Sequence, residues 1–453
     1  MLEVKEEKGL KYFFGKHFGS EYTAVFFLLF GVICWINELP EFVVIVFAAA
    51  FVLTLVFCKD VKNIFAYLFY VPYFIVDAVK TDNIWSVYVP CIAAGAVSII
   101  SFLVCKIVVE DKAVKKGGLF YPCIAFFIAM LTGGLIGRFS VLAFSAIMIM
   151  AVEILFLYVI SINFTENLSE FLSKIFIVGG ILIFIELVCW DYRVDSVWIF
   201  ENSEFNMFFS AESFNTAAIL ITLGIAGCFF LGAGRKHDYL YAIISIFLVF
   251  CVAYTRCRMM TFIAMIAVAV QYVFFIIFSK KKTNFLWLTA AFIIAATALI
   301  IAFSSEVWEI FYQFVSKNGK GPNGRSLLWP WCIEKFKEYP YFGYGYYTAE
   351  QVPTVRRSII SLVLAHNTFL QWLTATGVIG TSIAAYFYLG KYSVLFKKFN
   401  KDKIFHAVSV IAIAASGITD QAAAMDIFII ILPIIIIAAA ETSGKKGFVS
   451  TSF

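Results

Sequence analysis

An all-α polytopic membrane protein of about 14 transmembrane helices is the fold this sequence predicts, and three observations predict it. Hydrophobic residues make up 62% of the 453 positions and charged residues only 14%, with 52 phenylalanines; a soluble domain is nearer half apolar and a quarter charged. Apolar runs of roughly 20 residues, the length that crosses a bilayer core as a helix, recur along the whole chain. The runs are continuous rather than alternating, which excludes barrel strands.

In order, hydropathy places spans at 20–37, 42–58, 64–79, 84–109, 119–137, 139–160, 171–190, 214–231, 239–255, 259–278, 284–303, 365–389, 404–420 and 426–441. The run at 64–79 is short and holds Pro72 and Asp77, so 12 or 13 spans also satisfy the pattern. Residues 1–453 then form a single integral membrane domain. Lys5, Lys8, Lys11 and Lys16, set among Glu3, Glu6 and Glu7, make a charged head before the first span. No small-residue cleavage site follows that span, so a removed signal peptide is not expected.

Lys and Arg fix the orientation. With the N-terminus in the cytoplasm, cytoplasmic segments hold 23 of the 35 basic residues, and seven of the other 12 belong to one long loop that is exempt from the rule. Both termini are therefore expected in the cytoplasm, and the connections 191–213 and 304–364 face outward. The basic residues are scattered between spans, so the net charge of +5 carries no nucleic-acid signal. Most of the ten cysteines lie inside spans as small hydrophobes, and their spacing supports neither a disulfide framework nor a zinc site.

Long polar loops are usually functional, and 304–364 is the longest here. Within it, Arg325 to Glu338 reads as a helix: Leu328, Trp331, Cys332 and Phe336 fall on one stripe, while Glu334, Lys335 and Lys337 fall elsewhere. Such a helix suits a membrane surface. Pro340, Gly343 and Gly345 then impose a turn with close backbone approach. Tyr339, Tyr341, Tyr344, Tyr346 and Tyr347 surround that turn as an interfacial aromatic belt or as a sugar-stacking surface.

Of four histidines, His17, His237 and His406 fall at cytoplasmic ends beside basic residues, where a solvated face accounts for them. His366 alone falls outside, at the entrance of a span and before Asn367. Arg256 and Arg258 form a connection so short that the helices on either side hold both against the outer surface. Each arginine must snorkel or meet an anion, because a charge at midplane costs at least about 2.5–3.5 kcal/mol. Guanidinium forks grip phosphate oxygens in pairs, and a neutral imidazole accepts a proton from a hydroxyl. With Arg325 added, these groups suit transfer from a lipid-linked pyrophosphate to a sugar hydroxyl, with arginines neutralising the leaving group in place of a metal. Asp191, Asp195, Glu38 and Glu41 form no tight carboxylate pair, so neither metal nor cofactor is expected.

These residues carry a resemblance. Thr255-Arg256 at a helix end, Arg325 with Trp329, Pro340-x-x-Gly343-x-Gly345, and His366-Asn367-x-Phe369-Leu370-Gln371 before Gly377 resemble the O-antigen ligase/polymerase superfamily across roughly 250–390. Asn215 in Ser213-Phe214-Asn215-Thr216-Ala217 matches a further element at the start of an earlier span. The resemblance implies an inverting membrane glycosyltransferase drawing on undecaprenyl-pyrophosphate-linked glycan at the outer face of the bacterial plasma membrane, with a chain-length regulator as partner. It implies His366 as the base or acceptor-orienting group and Arg256 and Arg325 as the pyrophosphate grip. Substrate contacts would come from Arg258, Asn215, Asn367, Tyr344, Gly343 and Gly345. The family's Ser-Arg-Gly is replaced by Thr255-Arg256-Cys257-Arg258, which leaves open which arginine faces the phosphate. Polymerisation of repeat units and ligation of finished glycan to a lipid or protein both satisfy the pattern. Glu153 and Glu186 inside spans are the features that favour a flippase or transporter instead.

Overall fold

The computed structural model describes residues 10–37, 39–75, 84–136, 141–195, 213–232, 238–255, 257–278, 282–285, 287, 288, 290, 291, 294, 325–346, 367–397, 399, 403–419 and 427–443. Among them the regular structure is entirely helical. The helices are α1 (Leu10–Phe18), α2 (Glu21–Ile36), α3 (Pro40–Phe57), α4 (Asn63–Ile75), α5 (Ile84–Val104, continued by a π-helical turn Cys105–Val109), α6 (Phe120–Ile136), α7 (Val141–Asn163) and α8 (Leu168–Asp195). After these come α9 (Ser213–Gly232), α10 (Asp238–Tyr254), α11 (Arg258–Phe278), α12 (Arg325–Glu338), α13 (Thr368–Phe396), α14 (Ile404–Thr419) and α15 (Ile427–Ser443).

A helix that is apolar all round can be enclosed by protein or face lipid, and among the described residues two helices are enclosed. Residues 217–229 of α9 and 431–440 of α15 are buried on every side. Around α9 pack α8, α10, α11 and α14; around α15 pack α7, α8, α13 and α14. Helix α6 lies along α13, and α2 to α4 join the bundle through α8. Peripheral helices keep an exposed apolar flank, as α11 does with Phe262, Met265, Ile266 and Val273.

Among the described residues, Leu168–Cys189, Arg258–Ile277 and Thr368–Phe396 are each long and apolar enough to cross a membrane alone. Tyr12–Phe18 and Glu21–Ile36, bent by 64°, pass the same test as one broken span, and shorter apolar helices accompany them. The helix starts and ends follow the hydropathy intervals closely, with four differences. Helix α1 forms where a charged head was expected before the first span. Helix α8 runs on to Asp195, so the stretch expected as the smaller outer loop begins as helix; residues 196–212 lie outside the described set. The span expected at 365–389 starts at Thr368, reaches Phe396 and is broken at Gly377. Of the interval 284–303, only scattered positions are described.

One end of the bundle is basic and tightly tied. Lys62 and Lys174 share Glu21, at 3.2 and 2.8 Å. Glu441 accepts from the Gly118 N–H at 2.8 Å and from the Tyr158 hydroxyl at 2.9 Å. Lys403 donates to the carbonyls of Val394 and Lys397 at the end of α13. His406 belongs to this end, and its expected solvated face is corrected: it is fully buried, with Nε2 2.9 Å from the Ser169 hydroxyl. The first turn of α14 packs into the bundle, so adjacency to Lys403 in sequence does not bring exposure. His17 is exposed, as its surroundings predict.

Candidate functional site

Helix α13 cannot run straight through Gly377, where φ is 61° and ψ is −166°. Only glycine holds that conformation without heavy strain. The break frees carbonyls above it and N–H groups below it, and buried backbone groups must find partners. The turn after α12 supplies them. Tyr344 and Gly345 N–H groups donate to the carbonyls of Thr374 and Ala375 at 2.8 and 3.0 Å, while Val378 and Ile379 donate to those of Pro340 and Tyr341 at 2.8 and 3.1 Å. Gly343 (φ 77°) makes the approach close enough, since a methyl there would stand 2.5 Å from the Thr376 nitrogen. Tyr346 N–H reaches on to the Gly133 carbonyl of α6 at 3.2 Å.

Helix α12 lies along the half of α13 above this break. Its stripe Leu328, Trp331 and Cys332 is buried against Tyr344 and Leu370, and the Thr374 hydroxyl donates to the Cys332 carbonyl at 3.3 Å. The stripe expected to face the membrane surface thus faces protein. Trp331 and Tyr339 flank the Tyr344 ring, with centroids 5.7 and 5.6 Å away, and the Lys335 ammonium lies 5.5 Å over it. Cys332 beside Thr374, and Pro340 beside Val378, show that α12 and α13 run in the same direction. Their N-termini therefore lie at one end, side by side. Each N-terminus carries about half a positive charge, so the pair can attract an anion.

Asn367 caps α13: its side chain accepts from the Leu370 N–H at 2.9 Å. Arg325 is the first residue of α12 and Asn215 lies in the first turn of α9; both are placed by backbone alone. Arg258 opens α11 and is half-buried. Just before it, the Thr255 hydroxyl donates to the Val252 carbonyl at 2.6 Å and accepts from the Cys257 N–H at 3.3 Å, closing the tight α10–α11 turn. Arg256 and His366 lie outside the described residues.

The basic end orders these pieces. Ser169, His406 and Lys403 gather there with the C-terminus of α13. Phe184, about four turns up α8, stacks edge-on with Tyr254 at 5.2 Å. The α10–α11 turn and the N-termini of α12 and α13 therefore all lie at the end away from Lys403. Gly343, Tyr344, Gly345 and Asn367 form one packed unit, and Arg258 stands on a separate helix at that same end. Glu186 is fully buried in α8. Among the described residues no group of three His, Cys, Asp or Glu side chains is placed to hold a metal.

Sequence reasoning missed the pairing of the turn with the broken helix and its tie to Gly133. The signal was Thr376-Gly377 in mid-span, a poor place for glycine in an uninterrupted helix. Residues 240–385 match the family model described as O-antigen ligase, which supports the resemblance to the O-antigen ligase/polymerase superfamily over α10, α11, α12 and the first half of α13. No curated protein matches the chain.

Proposed function

We propose, on the premise that residues 240–385 belong to the O-antigen ligase/polymerase superfamily, that this protein is a glycosyltransferase. Its reaction joins undecaprenyl-pyrophosphate-linked oligosaccharide repeat units into surface polysaccharide at the outer face of the bacterial plasma membrane, with both termini in the cytoplasm. The family match carries the reading, because its span includes Arg256, Arg258, Arg325 and His366.

In this mechanism His366 takes the proton of an acceptor sugar hydroxyl. The hydroxyl oxygen then bonds to the anomeric carbon with inversion, as the bond from that carbon to the pyrophosphate oxygen breaks. The departing diphosphate keeps the electron pair. Arg256 and Arg325 neutralise its charge, so no metal ion is required. The side-by-side N-termini of α12 and α13 support the same diphosphate site from fixed dipoles.

A second reading, ligation of finished glycan to a lipid or protein acceptor, is favoured by the ligase description of the matching family. Product length separates the two. Cells lacking the protein are expected to accumulate single repeat units on the lipid carrier; long carrier-linked chains in those cells would overturn polymerisation in favour of ligation.

A further inference from the structure

We propose that Tyr341 and Phe342, at the tip of the turn that clamps α13, form a lipid-binding surface seated at the boundary between hydrocarbon and headgroups. By this contact the bilayer would set the height of the unit that carries Arg325 and Asn367.

The depth follows from helix lengths. Helix α13 has 29 residues on the two sides of its break, whereas the hydrocarbon core needs only about 20. Its lower limit is marked by Lys397 and by Lys403, whose ammonium sits on the Val394 and Lys397 carbonyls. Counting about 20 residues back from Phe396 reaches Gly377. The neighbouring α6 links the same two levels over about 22 Å at about 1.5 Å per residue, which puts the upper level near the top of the hydrocarbon core. It starts beside Lys115 and Lys116, with Gly118 against Val394, and brings Gly133 level with Thr376. The break in α13 therefore coincides with the upper edge of the hydrocarbon, and the turn paired to it lies at that edge.

The surface itself is continuous with the lipid-facing flank of α13. Tyr341 and Phe342 are 69% and 55% exposed, beside Val378 and Ile379 at 48% and 40%. Below them Tyr386, Leu389 and Phe396 are exposed at helical spacing on the same side. Large aromatic side chains left bare at that level fit the amphipathic interface, where tyrosine is enriched. Because the carbonyls of Pro340 and Tyr341 bond to α13, whatever holds the tip also holds the helix pair above it. The inference stands independently of the glycosyltransferase reading.

A photo-crosslinking amino acid, benzoylphenylalanine, placed singly at position 342, 389 or 334 tests it in nanodiscs of one defined phospholipid. Glu334 is exposed on α12 and serves as the solvent control. Mass spectrometry should find a phospholipid adduct at 342 as readily as at 389 and none at 334. A lipid adduct at 389 without one at 342 would overturn the proposal, as would a glycan adduct at 342 when carrier-linked glycan is supplied.

Discussion

Gly343 and Gly377 are packed face to face: a methyl added to Gly377 would stand 2.6 Å from the Gly343 nitrogen and 2.5 Å from the Tyr341 carbonyl oxygen. Both residues have positive φ, so an alanine adds strain of about 1–3 kcal/mol before any overlap is relieved. Gly377→Ala is expected to lower the melting temperature in detergent by several degrees and to cut the yield of folded protein, and Gly343→Ala the same. Wild-type melting in either variant would show that the clamp does not hold α13.

Asn367 is both a helix cap and an expected substrate contact, and two substitutions separate those roles. Loss of a cap costs about 1 kcal/mol on change to alanine, whereas serine caps as well as asparagine. If Asn367 serves the helix alone, Asn367→Ser keeps both stability and glycan synthesis. If the amide also binds sugar or phosphate, Asn367→Ser keeps the melting temperature and loses synthesis, the outcome expected here.

Two histidines should respond in opposite ways. His406 is buried against Ser169, so His406→Ala leaves a cavity and removes a buried hydrogen bond, while the Ser169 hydroxyl keeps the Ala439 carbonyl at 3.2 Å; the loss should cost about 2–4 kcal/mol. The folded fraction should retain its activity per molecule. His366→Ala should leave melting unchanged and abolish product, and Arg256→Lys should be severely impaired because an ammonium lacks the paired donors. Thermal melts and glycan gels on the same preparations check all three.

Lys391 lies inside the span, buried, with its ammonium 4.7 and 4.1 Å from the rings of Phe387 and Tyr388. Cation–π contact returns up to about 2 kcal/mol, while a charge deep in a membrane helix costs about 2.5–3.5 kcal/mol. Lys391→Met keeps the volume and is expected to raise stability by about 1 kcal/mol, read as a higher melting temperature. A fall of similar size would reveal a role for the ammonium beyond packing.

Much of the fold was legible because lipid imposes a simple rule: apolar length becomes helix. The starts of α9 to α11 and of α14 and α15 lie within a residue or so of the hydropathy intervals. What hydropathy could not foresee is pairing between distant backbones. Nothing in the residues around Tyr344 says that its N–H will meet the Thr374 carbonyl, because any residue type carries that donor. The stripe of α12 was legible as a stripe, but periodicity does not distinguish lipid from protein as its partner. His406 was misread because charge nearby in sequence stood in for solvent nearby in space. In the candidate site, Gly343 and Gly377 were visible as residues, while their mutual contact required coordinates.

Glycan transfer by Arg256, Arg325 and His366 is the reaction proposed for this protein. Its most direct test supplies purified protein in nanodiscs with polyprenyl-pyrophosphate-linked repeat units, in the presence of chelator, and resolves the products by length. Wild-type protein should give a ladder of lengthened glycan, and His366→Ala none. Contradiction would come from an undiminished ladder with that variant, or from wild-type protein that moves carrier-linked glycan across the bilayer without lengthening it.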